Sequence, residues 1–327
     1  MGTLVESVAP VQQLDDEQLV AEILRLKRER NAVILAHYYQ YSEVQDLADF
    51  VGDSLELSRK AQQTDADTIV FCGVHFMAET AKILNPTKRV LLPDLAAGCS
   101  LADSAPADEF RRVLEQLRAE YPNLVAITYI NCSAEVKALS DIICTSSNAE
   151  RIIRSIPENV PILFSPDRNL GAYLQRKTGR KMLLWNGTCI VHQSFSLRRI
   201  EEQLIGYPDA ELIAHPECED AILARAHFVG STSALLRYTI ESSRTTFIVA
   251  TEAGIIHQME KASPYKRFIP ALPEQEGCRC SECPYMKLNT LEKLYLCMLR
   301  GEPEVHLDPA VIERARRPLE RMMELSQ

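Results

Sequence analysis

The apolar positions of this 327-residue chain fall into short β-branched runs that alternate with segments of helical periodicity. Three of the runs have the length and composition of buried strands: residues 68–72, 161–165 and 246–250. Near the N-terminus, Leu19, Ile23 and Leu26 are spaced as one face of a helix. The repeated order of strand and helix predicts an α/β protein whose parallel sheets are covered by helices on both faces.

One stretch of this pattern occurs three times, at residues 36–54, 128–146 and 214–232. In each copy, a polar ring residue precedes a Ser or Thr by 17 positions, and apolar pairs stand at matching offsets. The pairs are His37 with Ser54, Tyr129 with Ser146, and His215 with Thr232. Each copy continues into further helical segments and strands. The agreement predicts an internal repeat in which every copy forms one β-α-β-α-β-α-β unit.

The repeat divides the chain into three units joined and flanked by helical segments. We predict a leading helical segment (1–30), unit 1 (31–105), a linker helix (106–120), unit 2 (121–195), a linker (196–207), unit 3 (208–288) and C-terminal helices (289–327). The predicted fold is three homologous α/β/α sandwich units with small parallel sheets around a pseudo-threefold axis. Ligands bind at the carboxyl ends of parallel strands, so the site is expected at the centre.

Composition narrows the classes of partner. The net charge is −9 and the pI is near 5.4, and no basic stripe is present, so nucleic-acid binding is not expected. The sequence has no apolar run long enough to span a bilayer and no signal-peptide pattern. These features predict a cytoplasmic protein that does not bind membranes.

Each unit carries one cysteine shortly after its fourth strand, namely Cys99, Cys189 and Cys283. Structural disulfides are unfavoured in the cytoplasm, so the ten cysteines need another explanation. Three thiolates brought together by the repeat suit a [4Fe–4S] cluster, which normally takes four and would here keep one iron open. An open iron is a Lewis acid that can bind a hydroxyl or carboxylate group.

Other interpretations of the cysteines stay open. Cys278, Cys280 and Cys283 are close together as in zinc sites, although no second cysteine or histidine pair is nearby. The first two could also form a redox-sensitive pair or face solvent. The remaining thiols fit inert buried or loop positions better than ligand positions: Cys72, Cys132, Cys144, Cys218 and Cys297.

The Ser or Thr of each copy follows a strand and opens a helix. Helix capping is the simplest explanation for Ser54, Ser146 and Thr232. Three helix N-termini that meet at one cavity would also bind a substrate with several negative groups, such as carboxylates and a phosphate. Further polar residues near the strand ends are candidate acid–base groups: His37, Tyr39, Tyr129, Asn131, His192, His215 and Glu217.

Several motifs in order resemble one family. They include AHYYQ (36–40), GDSLELS (52–58), TYINCSAEVKA (128–138), CTSSNAE (144–150), WNGTCIVH (185–192), AHPEC (214–218), VGSTS (229–233) and ECPYMKLNTLEKL (282–294). Over about residues 31–294 the chain resembles the quinolinate synthase family, which are iron–sulfur enzymes of NAD biosynthesis. The resemblance implies three α/β/α domains around a central [4Fe–4S] cluster, in agreement with the repeat.

The resemblance also implies a reaction and roles for residues. Iminoaspartate and dihydroxyacetone phosphate would condense to quinolinate with loss of phosphate and water, and an L-aspartate oxidase could supply the imine. Cys99, Cys189 and Cys283 would ligate the cluster, and Tyr39 and Glu217 would be the acid–base pair. His37 and His215 would also be catalytic. The carboxylates and the phosphate would be bound by a set that overlaps these residues: His37, Ser54, Tyr129, Asn131, Ser146, His192, His215, Glu217 and Thr232. Met286 would line the cluster pocket.

One departure from the family pattern concerns the third ligand. Some members carry CxxCxxC before a proline, whereas this chain has CxCxxC, so no disulfide or switch role is assigned to Cys278 and Cys280. Cys283 is chosen as the ligand because it directly precedes Pro284. Two rival functions are another [4Fe–4S] hydro-lyase and a non-enzymatic zinc or iron–sulfur thiolate protein. The third helix-terminal anion site favours a phosphate-bearing co-substrate over the first rival.

Overall fold

The computed structural model describes residues 14–275 and 281–326. Helix α1 (Asp16–Glu29) begins with a capping box, in which Asp15 and Gln18 each accept from the backbone of the other. The apolar face predicted for this helix is confirmed, since its buried residues pack on one face of the first sheet.

Unit 1 contains four strands and three helices in strict alternation. They are β1 (Ala32–His37), α2 (Ser42–Leu47), β2 (Phe50–Gly52), α3 (Ser54–Gln63), β3 (Thr68–Cys72), α4 (His75–Leu84) and β4 (Arg89–Leu91). The strands pair in the order β2-β1-β3-β4, and all pairs are parallel. All five residues of β3 are buried, because helices cover both faces of the sheet. Helices α5 (Ser100–Asp103) and α6 (Ala107–Glu120) lead to unit 2.

Units 2 and 3 repeat this arrangement. Unit 2 has β5 (Val125–Tyr129), α7 (Ala134–Leu139), β6 (Ile142–Cys144), α8 (Ala149–Ser155), β7 (Ile162–Ser165), α9 (Arg168–Thr178) and β8 (Leu183–Leu184), followed by α10 (Ile190–Ser194) and α11 (Leu197–Gly206). Unit 3 has β9 (Glu211–Ala214), α12 (Asp220–Leu223), β10 (Phe228–Val229), α13 (Thr232–Glu241), β11 (Thr246–Ala250), α14 (Ile255–Ala262) and β12 (Arg267–Pro270). Their parallel sheets have the orders β6-β5-β7-β8 and β10-β9-β11-β12.

The prediction of three α/β/α units with small parallel sheets is confirmed by this common strand order. The segment predicted as a linker at 196–207 consists mostly of helix α11. After unit 3, a 3₁₀ helix (Met286–Leu288), α15 (Leu291–Arg300) and α16 (Pro309–Glu324) end the described chain. None of the helices in the described ranges carries an apolar stretch long enough to cross a bilayer.

The closing helices join the units. Helix α15 packs against α1 on one face of the first sheet, and α16 packs against α4 of unit 1 and α7 of unit 2. Buried residues of units 1 and 2 form one continuous apolar cluster that includes the inner face of α16. Unit 3 has its own apolar clusters, one on each face of its sheet. The three sheets are therefore held with their carboxyl ends facing a common space.

Candidate active site

A central cavity lies where the carboxyl ends of strands from all three units meet. It encloses about 670 Å³ of empty space, counting its open mouth. Every site residue predicted from the sequence lines it: His37, Tyr39, Ser54, Cys99, Tyr129, Asn131, Ser146, Cys189, His192, His215, Glu217, Thr232 and Cys283. Met286 lines it as well. Residues far apart in the sequence are thus brought together by the triplicated fold.

The ring residues occupy equivalent places in the three sheets. His37 ends β1, Tyr129 ends β5, and His215 directly follows β9. In the parallel register His37 pairs with Gly52 and Tyr129 with Cys144, which places each ring at the edge of the cavity. All three side chains are buried. The interval of 17 positions found in the sequence therefore spans one strand–helix–strand passage within each unit.

Capping does not explain the repeated Ser and Thr residues. Ser54 and Thr232 are the first residues of α3 and α13, and the preceding residues, Asp53 and Ser231, accept the capping hydrogen bonds. Ser146 lies in the turn before α8, whose N-cap is the residue Asn148. The simplest sequence interpretation was therefore wrong, since the N-cap residue precedes Ser54 and Thr232 by one position and follows Ser146 by two. The three hydroxyl residues line the cavity instead.

Asp53 is a cavity residue that the sequence analysis missed. Its Oδ1 accepts from the backbone N–H groups of Leu55 and Glu56 at the start of α3. Its Oδ2 accepts from Ser147 Oγ of unit 2 at 2.6 Å and from Ser233 Oγ of unit 3 at 2.7 Å. One buried carboxylate therefore joins the three units. Ser147 and Ser233 directly follow the repeated hydroxyl residues, so alignment of the copies could have suggested this junction.

A chain of polar contacts crosses the cavity wall. The Tyr39 hydroxyl lies 2.6 Å from Thr251 Oγ1, which lies 2.9 Å from His192 Nε2. The other ring nitrogen, His192 Nδ1, lies 2.9 Å from Glu217 Oε2. Glu217 Oε1 accepts a 2.6 Å hydrogen bond from the Tyr129 hydroxyl. The chain contains residues from all three units and includes Thr251, which the sequence analysis also missed.

The charges in this chain follow from burial and from the neighbouring rings. Burial by itself would raise the pKa of Glu217, but His192, His215 and the Tyr129 hydroxyl together lower that pKa to about 2. Burial and the nearby Glu217 raise the pKa of both Tyr39 and Tyr129 well above its ordinary value. Glu217 is therefore an ionised carboxylate near two neutral phenols, which are able to donate hydrogen bonds.

The two histidines at the repeated ring positions, His37 and His215, are neutral. Burial lowers the pKa of His37 to about 4 and that of His215 to about 3, although nearby carboxylates oppose the shift. His37 Nδ1 accepts from the Tyr39 N–H at 3.2 Å, and His215 Nε2 lies 3.1 Å from Ser146 Oγ. A neutral imidazole has one donor nitrogen and one acceptor nitrogen, so each ring can contact both the protein and a ligand.

Each of the three predicted ligand cysteines lies at or shortly before the start of a helix. Cys99 and Cys189 are the N-cap residues of α5 and α10, and Cys283 precedes the 3₁₀ helix by three positions. All three are half-buried, whereas the other described cysteines are buried, and all eight described cysteines are free thiols. Cys278 and Cys280 lie outside the described residues.

Burial raises the pKa of each of these thiols, and for Cys99 and Cys189 a neighbouring ligand cysteine adds to the effect. For Cys99 the pKa rises to about 12, with burial as the main cause and Cys283 as a further one. Burial, Glu217 and Cys99 raise the pKa of Cys189, and burial also raises that of Cys283. Thiols in this state are protonated at neutral pH, and a bound cation favours the thiolate form. Three sulfur donors on one cavity wall fit a cluster held by three cysteines.

A second donor set overlaps the first. One ligand atom each from Cys189, His192 and Glu217 lie within 4.8 Å of one another, which suits a single metal ion. His192 Nδ1 is buried and has no aligned hydrogen-bond partner. A mononuclear metal site therefore competes with the cluster for Cys189, and metal analysis distinguishes the two.

Glu252 and Lys287 hold the third cysteine in place. Glu252 Oε1 accepts from the Cys283 N–H at 3.0 Å and lies 3.0 Å from Lys287 Nζ. Lys287 Nζ also donates to the backbone oxygen of Tyr39 at 2.7 Å. Glu252 is fully buried and lines the cavity. This pair lies outside the repeated positions, so the sequence pattern gave no sign of it.

Comparison with known proteins agrees with this arrangement. The family model described as "NadA: Quinolinate synthetase A protein" matches residues 21–324. The quinolinate synthase of Thermosynechococcus vestitus is 60% identical over 308 residues, which are 94% of this chain and 95% of the relative. Those of Microcystis aeruginosa (310 residues, 95% and 96%) and Synechocystis sp. (320 residues, 98% and 99%) are each 59% identical. The chain therefore belongs to the quinolinate synthase family, whose members are enzymes of NAD biosynthesis.

Proposed function

We propose that this chain condenses iminoaspartate with dihydroxyacetone phosphate to form quinolinate, with loss of phosphate and water. The observation that carries the proposal is the convergence of Cys99, Cys189 and Cys283, one from each unit, on the cavity that also contains Tyr39 and Glu217. Family membership supports the overall reaction. The geometry supports the roles of the individual residues.

A [4Fe–4S] cluster fits the donor set, with Cys99, Cys189 and Cys283 as its ligands. When bound, such a cluster supplies one open iron that acts as a Lewis acid toward a hydroxyl or carboxylate oxygen. The high pKa values of the free thiols are consistent with this role, because thiolates crowded in a buried cavity need a cation. Met286 and Val191 add apolar surface to the same cavity.

The substrates carry carboxylates and a phosphate, and the cavity wall has groups that bind anions. Ser54 and Thr232 begin α3 and α13, so their hydroxyls lie at helix N-termini, where the positive end of the helix dipole favours an anion. His37 and His215 are neutral rings that can donate hydrogen bonds without adding positive charge. Asn131 has a buried Oδ1 without a hydrogen-bond partner in the protein, and this acceptor suits the N–H group of the imine.

Acid–base chemistry falls to Tyr39 and Glu217. Glu217 is ionised, so it can take a proton from a carbon atom next to a carbonyl group. Tyr39 keeps its proton because burial and Glu217 raise its pKa, so it can donate that proton to a departing hydroxyl. The two groups are joined by the contacts through Thr251 and His192, which permits a proton to be returned between steps.

Anaerobic purification followed by iron, sulfide and zinc analysis tests the cofactor. About four irons and four sulfides per chain, with an absorbance that bleaches in air, are expected. One zinc and no sulfide would contradict the cluster and favour the site formed by Cys189, His192 and Glu217. The cluster-loaded protein is then assayed for quinolinate with both substrates. A loaded protein that forms no quinolinate would contradict the proposed reaction and favour another hydro-lyase.

We expect an L-aspartate oxidase to supply iminoaspartate in the cytoplasm. The imine hydrolyses in water, so it must be formed shortly before it is used. An assay with aspartate, the oxidase and dihydroxyacetone phosphate should therefore yield quinolinate, and omission of the oxidase should abolish the product.

A further inference from the structure

The turn after the first strand of each unit carries one polar side chain of the central cavity. Two positions after the ring residue, the three copies have Tyr39, Asn131 and Glu217. All three residues line the cavity. Under the proposed function, they transfer protons and bind the imine. The place of each polar group therefore depends on what holds the backbone of its turn.

In unit 1, the side chain of Gln45 on α2 holds this turn. Gln45 is buried, and its Nε2 donates to the backbone oxygens of Tyr38 at 3.0 Å and Gln40 at 2.9 Å. These two oxygens lie on either side of Tyr39 in the chain. The same amide nitrogen also donates to the backbone oxygen of Gly254 in unit 3 at 2.9 Å. One side chain thus fixes the backbone before and after the phenol and ties it to another unit.

Lys137 is the equivalent residue of unit 2. It stands on α7, eight positions after the ring residue of its unit, as Gln45 does in unit 1. Its side chain is fully buried, and its Nζ donates to the backbone oxygen of Cys132. Cys132 directly follows Asn131 and corresponds to Gln40 in the repeat. Lysine is seldom fully buried, because its charge loses hydration. Units 1 and 2 therefore share a buried donor that closes the turn at the same carbonyl group.

Unit 3 shows that the strand–turn–helix fold does not require a donor at this position. The corresponding residue is Leu223, which is buried on α12. The backbone oxygen of Glu217 accepts instead from Nδ2 of Asn169 in unit 2 at 3.0 Å. Each turn with a cavity group is thus held by a buried side-chain N–H donor. The donor comes from the unit's own helix in units 1 and 2, and from a neighbouring unit in unit 3.

We propose that Gln45 and Lys137 are positioning residues, which set the places of Tyr39 and Asn131 by holding the backbone of their turns. Neither Gln45 nor Lys137 lines the cavity, so each acts through the residue on its turn and not on a substrate. The kinetic consequence rests on the proposed function, in which Tyr39 donates a proton and Asn131 binds the imine. Loss of the unit 1 donor should therefore slow the chemical step. Loss of the unit 2 donor should weaken substrate binding.

The test introduces the leucine of unit 3 at both positions. Gln45→Leu should lower kcat by about tenfold to hundredfold with little change in KM, because a small displacement of the acid disturbs the reacting geometry. Lys137→Leu should raise KM for the imine by about tenfold with little change in kcat. Lys137→Gln transfers the unit 1 donor to unit 2 and should return KM toward the wild-type value. Methionine replaces leucine at either position if the leucine variant does not fold.

Two control variants remove the same kinds of hydrogen bond away from the cavity. Gln203 is half-buried on α11, where its amide donates to the Pro270 oxygen and accepts from the Leu272 N–H. Lys266 is buried like Lys137 and donates to two backbone oxygens of unit 3. All variants are purified anaerobically with their cluster, and rates are normalised to iron content. Gln203→Leu and Lys266→Leu should keep the wild-type kcat and KM.

Crystal structures of the cluster-loaded proteins give a readout that does not depend on activity. The backbone of residues 38–40 should move in Gln45→Leu. The backbone of residues 130–132 should move in Lys137→Leu and keep its place in Lys137→Gln. Unmoved turns with wild-type kcat and KM would overturn the inference, and so would equal kinetic losses in the two controls. If wild-type holoenzyme forms no quinolinate, the proposed function fails, while the crystal structures still decide the positioning role.

Discussion

The hydroxyl of Tyr129 in unit 2 donates a 2.6 Å hydrogen bond to Oε1 of Glu217 in unit 3. Both groups are buried, so the bond stabilises the ionised form of Glu217 across the junction of two units. A donor lost from a charged acceptor costs about 1.5–3 kcal/mol. The Tyr129→Phe enzyme should therefore bind its cluster normally and show kcat/KM lowered by roughly tenfold to hundredfold.

Tyr38→Phe is the control for this variant. Tyr38 is also a buried phenol that donates to a carboxylate, Glu56, but it does not line the cavity. Its kcat/KM should stay close to that of wild type. Equal kinetics of the Tyr129 and Tyr38 variants would show that the contact with Glu217 has no part in the reaction.

Cluster ligation is tested by single replacements of the three half-buried thiols. Cys99→Ser, Cys189→Ser and Cys283→Ser should each abolish the cluster absorbance, because each removes one of only three thiolates. Cys278→Ser and Cys280→Ser should keep full absorbance. Iron and sulfide analysis gives the measurement. Full iron content in the Cys283 variant would remove that residue from the ligand set.

The junction at Asp53 predicts a loss of stability. Replacement of Ser147 and Ser233 by Ala removes both hydroxyl donors to Oδ2 and leaves a buried carboxylate oxygen unpaired. The double variant should lower the free energy of unfolding by about 3 kcal/mol. Urea unfolding measures the change. Ser155→Ala is the control, since Ser155 donates to a backbone oxygen of its own helix. The urea midpoint of this control should be clearly higher than that of the double variant.

The Glu252–Lys287 pair predicts how firmly the cluster is retained. Lys287→Met leaves the buried Glu252 carboxylate without its cation. It also removes the hydrogen bond from Lys287 to the backbone oxygen of Tyr39. Removal of one partner of a buried pair costs about 3 kcal/mol or more, so the Cys283 segment should loosen. Iron release to a chelator should be several-fold faster than in wild type. Lys293→Met is the control, because it removes a partly exposed ion pair with Asp94 and should release iron at the wild-type rate. Identical rates for the two variants would show that Lys287 does not anchor the Cys283 segment.

The buried ring of His37 predicts a dependence of stability on pH. The unfolded ring binds a proton below about pH 6.5, whereas burial lowers the folded pKa to about 4. The contribution of this ring to the free energy of unfolding is therefore fully present above pH 6.5. It falls as the pH decreases toward 4, by about 1 kcal/mol per pH unit. His215, with a folded pKa of about 3, adds a change of the same sign. Urea unfolding of the cluster-free protein at pH 5 and pH 7 measures the difference.

In the His37→Asn variant the dependence should become shallower, because the amide does not titrate and its oxygen can replace Nδ1 as the acceptor for the Tyr39 N–H. The same slope in the variant and in wild type would show that other groups cause the loss at acid pH.

The interval between His37 and Ser54, repeated in the other copies, was enough to predict three like units and a shared site. Parallel strands place their carboxyl ends at one edge, so residues at equivalent offsets lie at equivalent places. For the same reason, one cysteine per copy predicted three thiols on one cavity wall. The family resemblance supplied the reaction and the roles, which neither spacing nor composition could give. The domain boundaries and the residue roles stay predictions.

Contacts between copies were decided only by the tertiary structure. Asp53, Thr251 and Lys287 act across unit boundaries, and their partners are far away in the sequence. The repeat determined which residues reach the centre, because strand geometry is local and periodic. Which of them touch depends on how three twisted sheets pack around one cavity, and the distance of 2.6 Å between Tyr39 and Thr251 follows from that packing alone.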